Sequence, residues 1–167
     1  MAPWFSWTDN AISDLGKSKV SSAKFFNYGI IITGFLLLIY TTVLSERIMG
    51  NGRLKNVGSL VMGLSSLFLI LVAVYSLPLD IHFYVSVPFF IFFPLSFLII
   101  DFLNFKSKHN FKRKMSYFAF LVFLIAVISS VFLLVFDDVA IPEVLVVFPG
   151  FIWYMIFGFG IISNVDI

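Results

Sequence analysis

Five stretches of the chain, roughly residues 25–45, 57–77, 82–103, 115–136 and 144–163, are almost wholly apolar. Each is close to the ~20 residues that an α-helix needs to cross the hydrocarbon core of a bilayer. The polar connectors between them are short, which leaves no room for a separate soluble domain. The pattern therefore predicts an all-α fold: a polytopic transmembrane helical bundle of five spans over residues 25–167, preceded by an exterior interfacial segment, residues 1–24. Pro88 and Pro94 fall inside the third span and Pro149–Gly150 inside the fifth. Each proline removes an amide donor, so bends are expected there, and bent helices enclose space.

The first two dozen residues break the apolar pattern. In "SWTDNAISDLG", Ser6 reads as an N-cap, Asp9 completes an S-x-x-D capping pattern and Gly16 supplies a C-terminal stop. Trp4, Trp7, Ala11 and Leu15 recur near helical spacing. A short amphipathic helix carrying two tryptophans suits the headgroup layer, so the segment is expected to lie on the membrane surface as a lid rather than to cross.

Charge then orients the bundle. The connector after the first span carries Arg47, Arg53 and Lys55, and the one after the third carries Lys106, Lys108, Lys112, Arg113 and Lys114. Only Lys17, Lys19 and Lys24 lie on the opposite side. Basic residues are retained in the cytoplasm, which predicts a cell-membrane protein with its N-terminal segment outside and its C-terminus cytoplasmic. Most acidic residues then fall outside: Asp9, Asp14, Asp80, Asp137, Asp138 and Glu143. The run "FKSKHNFKRK" is read as a topology signal. As a short connector between two spans it cannot follow a nucleic-acid backbone, and no nucleic-acid partner is expected.

Composition sharpens this picture mainly by exclusion. The chain is 60% hydrophobic and 12% charged, and it has no cysteine, which removes disulfides, thiolate metal sites and cysteine nucleophiles. No ionisable group occupies the middle of a span; Asp101 lies near the inner end of the third, and Asp80 with His82 at its outer end. Ion-coupled pumps and proton relays need such groups at depth, so that class is disfavoured. Nucleophile elbows, H-E-x-x-H, phosphate loops and dinucleotide fingerprints are all lacking.

The stretch "PWFSWTDNAISDLG", followed by "FFNYGIIITG", a "LPLDIH" turn before a phenylalanine-rich span, and an acidic residue opening the last helix, resembles the multi-pass family catalogued as domain of unknown function 998. That family occurs mainly in archaea and bacteria. The resemblance covers nearly the whole chain, and N-A-[IL]-S-D-L-G is its most specific part. It implies six spans with a first helix ahead of P-W-F-S. The chain as read lacks that helix, which implies a late start site or a five-span variant.

The matching positions converge on one surface. Asp14, Asn27, Asp80, His82 and Glu143 are all expected at the outer face and form the candidate ligand-binding set. His82 with Asp14, Asp80 or Glu143 is also the candidate for acid–base catalysis or for a divalent metal, since nitrogen and oxygen donors suffice for such an ion; no other cofactor is expected. Each residue has a plainer role as well: Asp14 as a turn cap, His82 as an anchor of the third span, and Asp80 and Glu143 as acids beside helix N-termini. Three functions fit. The first is binding of membrane lipids or a membrane partner at the outer face. The second is a lipid-headgroup hydrolase or transferase built on the His/carboxylate set. The third is an accessory subunit of a larger membrane complex. The partners expected are membrane lipids, with a homo-oligomer or a larger membrane complex as the assembly.

Overall fold

The computed structural model describes residues 3–17, 19, 21–47, 53–102, 105, 108, 110–135 and 140–162. Five long helices run through them: α1 (Ala23–Arg47), α2 (Arg53–Val74), α3 (Ile81–Phe102), α4 (Asn110–Val135) and α5 (Ala140–Ile162). A single-turn 3-10 helix, Ile12–Gly16, precedes them and is called the cap below. No strand occurs among the described residues. The fold is the helical membrane bundle that the hydrophobic pattern predicts. Ala23–Val43, Asn56–Val74 and Ile81–Phe102 are each long and apolar enough to cross a membrane. The exterior agrees, for Phe25, Ile32, Leu36, Leu60, Leu121, Ile128 and Phe148 all point outward. Such a surface suits lipid and not water.

The helix ends depart from the hydropathic windows for local chemical reasons. Helix α2 stops at Val74, before residue 77, where the chain turns into a Leu77–Pro78 cis peptide. Helix α4 begins at Asn110, five residues before the apolar stretch starts, so the basic residues Lys112, Arg113 and Lys114 lie within it. Helix α5 starts at Ala140 and tolerates Pro142 because amides of a first turn have no intrahelical acceptor. Both α3 and α5 continue through their internal prolines, Pro88, Pro94 and Pro149.

The N-terminal segment differs more. A helix running from Ser6 is not formed; residues before Ile12 fold as turns, and only Ile12–Gly16 is helical. The side chains explain it. Asn10 Oδ1 accepts the Ser6 amide at 2.9 Å, and the Ser6 and Thr8 hydroxyls both donate to Asp9. Short polar side chains bonded in this way compete with the backbone ladder of a helix. Trp4 and Trp7 are both exposed and each stands edge-to-face with Phe5.

Sequential helices pack as neighbours, and α5 also returns to touch α3. The core gathers on α3, where Phe89, Phe93 and Phe97 succeed one another at one helical face. Phe93 and Phe97 meet at 4.9 Å between ring centroids, and Phe97 lies 4.7 Å from Trp153 of α5. Helix α4 offers Met115, Ala119, Val122 and Ala126, a mostly small-residue face that lets its backbone come close. Glycines mark two further approaches. A Cβ at Gly34 would meet Ile70 of α2 and one at Gly58 would meet Ile100 of α3, whereas Gly29 and Gly63 face open space.

Among the described residues, α1 and α5 do not pack along their lengths. Side chains join them at one level, where Tyr40 and Tyr154 stand edge-to-face with centroids 5.0 Å apart. At the other end the cap bridges them, touching both α1 and α5.

Candidate functional site

A cavity of about 330 Å³ occupies the space between the Tyr40–Tyr154 contact and the cap. Ligand sites commonly measure about 300–1,000 Å³ and are mostly apolar, with a few placed polar groups. Helix α1 contributes Phe26, Ile30 and Thr33, spaced so that they share a face. Helix α5 contributes Val144, Val147, Phe148 and Phe151 in the same manner. The floor comes from α2 and from Ser86, Phe89 and Phe90 of α3. Phe148 is 63% exposed at the rim, so the cleft is bordered by a side chain turned toward the surroundings of the bundle.

The cap closes one end, and polar contacts seat it. Ile12 donates its amide to the Glu143 carboxylate, and the Ala140 amide donates to the Asn10 carbonyl at 2.7 Å. On the other flank Asn27 Nδ2 donates to the Gly16 carbonyl at 3.1 Å. A Cβ at Gly16 would displace the Asn27 amide and come within 3.1 Å of Phe26, so glycine lets Asn27 keep this position. Asp14 holds the cap's internal shape: buried at 3% exposure, it accepts the Ala11 amide at 3.0 Å and the Asn10 side chain at 3.2 Å, and pairs with Lys17. Outside the membrane-spanning helices, Asp9 is held below the ordinary carboxylate range by the Ser6 hydroxyl first and the Thr8 hydroxyl second.

Of the five residues that the sequence proposes, three gather at the cap. Asp14 shapes it, Asn27 ties it to α1 and Glu143 ties it to α5 while lining the cavity. His82 is buried at the start of α3, its Nδ1 2.9 Å from the Tyr75 carbonyl, which anchors the turn between α2 and α3. Asp80 is exposed in that turn. Among the described residues, no group of three His, Asp or Glu side chains is placed to hold a metal ion. Asp137, Asp138, Lys106 and His109 lie outside the described residues.

One polar centre is absent from the sequence proposal. Asp101, near the end of α3 remote from the cap, has no exposed surface, and its carboxylate accepts the Trp153 indole N–H at 2.8 Å. The Ser116 hydroxyl of α4 donates to its main-chain carbonyl at 2.8 Å, so this residue joins three helices. The available signal was an acid closing an apolar run opposite a tryptophan, whose N–H needs an acceptor once buried.

A family model described as a protein of unknown function (DUF998) matches residues 1–160. No curated protein and no solved structure matches the chain.

Proposed function

We propose that this chain, which belongs to the DUF998 family, serves in the membrane by holding the acyl chain of a lipid in the cleft between α1 and α5, beneath the cap. The observation that carries this reading is the cleft itself: about 330 Å³ of almost entirely apolar space. It lies in a bundle whose outward residues suit hydrocarbon, so the molecules at its rim are lipids. The cap then has a physical task, which is to keep the polar end of the occupant at the surface while the chain lies between the helices. Purification in mild detergent followed by mass spectrometry of co-purifying lipid tests this. The parent protein is expected to retain lipid through detergent exchange. Val147→Trp, which fills the cleft, is expected to lose it, and Leu121→Trp, on an exposed face of α4, to keep it. A parent protein with no lipid above the detergent control overturns the reading.

The cap end is assigned to the cell exterior. Support comes from the eight basic residues in the two connectors and the helix ends beside them at the far end of the bundle, against three beside the cap. Leu79 is exposed in the turn between α2 and α3 at the cap end, and the chain has no cysteine of its own. A Leu79→Cys variant is expected to react with an impermeant maleimide on intact cells. Reaction only after permeabilisation reverses the assignment.

A further inference from the structure

Hydroxyl groups buried in this bundle commonly bond to their own helix. Thr41 donates to the Leu37 carbonyl at 2.7 Å, Ser66 to the Met62 carbonyl at 2.9 Å and Ser96 to the Phe93 carbonyl at 2.7 Å. Three hydroxyls inside the helices depart from this habit. Those of Tyr40, Ser65 and Tyr154 are buried, and among the described residues no hydrogen bond reaches them. Ser65 is 1% exposed and Tyr154 6%. A fourth such hydroxyl, that of Ser22, stands apart from them, ahead of α1 at the cap end. Within a bilayer no bulk water is at hand to take over, and a buried phenol ordinarily has a partner. A phenol oxygen also lies too far from its own main chain for the back-bonding that serves serine and threonine.

The three belong together by placement. Tyr40 and Tyr154 stand edge-to-face with ring centroids 5.0 Å apart. Both α1 and α5 start at the cap end, and helical side chains lean toward the helix N-terminus, so both phenols lean back from their Cα atoms toward the cleft. On α2, Ser65 shares a face with Met62 and Leu69 of the core, and it lies one turn inward of Leu69, which lines the cleft. Its neighbour Ser66 fixes the level. A Cβ at Gly34 would come 3.2 Å from the Ser66 carbonyl oxygen, and Tyr40 is less than two turns beyond Gly34. We propose that the hydroxyls of Tyr40, Ser65 and Tyr154 hold an ordered water, forming a polar node between α1, α2 and α5 just beneath the cleft. A buried water takes about two to four polar partners and a volume of about 30 Å³. Three hydroxyls, each able to donate or to accept, satisfy it in any orientation. The node ties α1 to α5 at the level of the tyrosine contact and joins α2 to both. It goes beyond the lipid reading and does not rest on it, since none of the three residues lines the cavity.

Variants that remove one hydroxyl and keep the packing test the node in two measurements. Tyr40→Phe, Tyr154→Phe and Ser65→Ala are each expected to lower the thermal midpoint in detergent by about 2–4 °C, the shift that one net hydrogen bond is worth in a chain of this length. Tyr40→Phe and Tyr154→Phe combined should lose less than the sum, because the two hydroxyls share one molecule. Tyr28→Phe, at an exposed phenol of α1, should leave the midpoint unchanged. Hydroxyls without a bound water give the opposite sign, since deleting them relieves the burial of an unpaired group. A midpoint that holds or rises in either tyrosine variant therefore overturns the proposal, and a fall confined to the tyrosines removes Ser65 from the node. The second measurement is NMR of protein carrying isotope-labelled tyrosine in bilayers of deuterated lipid, read as magnetisation passed from water to the rings. Tyr40 and Tyr154, assigned from their own phenylalanine variants, are expected to receive it, and Tyr154 to lose it when Tyr40→Phe and Ser65→Ala are combined. Lower midpoints without any transfer from water mean that the phenols bond directly to the protein, and overturn the proposal as well.

Discussion

Helix α5 is packed in two different ways along its length. Beyond Gly150 its Trp153 and Tyr154 are buried against Phe93 and Phe97 of α3, with the Asp101 carboxylate accepting a hydrogen bond from the indole N–H. Before Gly150 its Val144, Val147 and Phe148 border open space. The same helix is thus closely packed against α3 in one half and bordered by a cleft in the other. Apolar side chains do not account for the difference, because both halves are rich in them. In lipid, contact between two apolar faces gains nothing over contact with hydrocarbon tails, so helices adhere where backbones come close or hydrogen bonds cross. The far half has both devices, a glycine and a buried carboxylate. In the cap half the hydrogen bonds to the cap lie at the helix start, at Ala140 and Glu143, and between there and the tyrosine contact α1 and α5 stand apart among the described residues. A cleft is what such a bundle leaves where nothing draws two helices together.

The contrast breaks most readily in its tight half. Trp153→Ala removes a ring with no exposed surface together with the donor to Asp101, and should destabilise the protein by about 3–5 kcal/mol in detergent unfolding. A loss under about 1 kcal/mol, the level of a surface change, would show that the far half is not the stable one. Gly150→Val should follow at about 1–3 kcal/mol, because its Cβ would stand 2.7 Å from Phe93 Cζ and 3.0 Å from Phe97 Cε2, both rings being locked in the core. Thermal unfolding of both variants beside Val147→Trp checks the ranking, since the last substitution fills existing space and should unfold near the parent.

The loose half was harder to read from the sequence than the tight half, and the cause is physical. Hydropathy reports where a helix meets hydrocarbon, so five apolar runs gave five helices with ends off by a few residues. It is blind to which helices touch. Gly34 and Gly58 close approaches between helices while Gly29 and Gly63 do not, although all four stand in similar apolar runs. The basis of the candidate set was likewise mixed. Topology placed Asp14, Asn27, Asp80, His82 and Glu143 at one end, but whether their side chains meet depends on turns too short to carry a periodic signal. Three of them converge on the cap, and His82 instead bonds the Tyr75 carbonyl seven residues upstream. Asp101 was visible as a letter and not as a site, because its depth is set by α4 and α5 folding over it.

The smallest effect expected lies at the outer edge of the cap, and it shows which polar contacts seat the cap and which only shape the turn before it. Asp9 is fully exposed and held below the ordinary carboxylate range by the Ser6 and Thr8 hydroxyls. A carboxyl depressed in this way adds stability that is present above its unfolded-state value and is lost as the pH falls through its folded-state value. Ser6→Ala removes the larger of the two causes, so the Asp9 titration midpoint, followed by NMR of labelled protein, should move up toward the ordinary range. At neutral pH, where Asp9 stays ionised in parent and variant alike, lipid retention should not change. The cap is fastened by Asn27 to Gly16, by Ala140 to Asn10 and by Ile12 to Glu143, and none of these bonds passes through Asp9. A Ser6→Ala protein that releases its lipid would extend the closing device back through the turn at residues 6–10, and would make the whole polar segment before α1, not its single helical turn, the counterpart of the tight half.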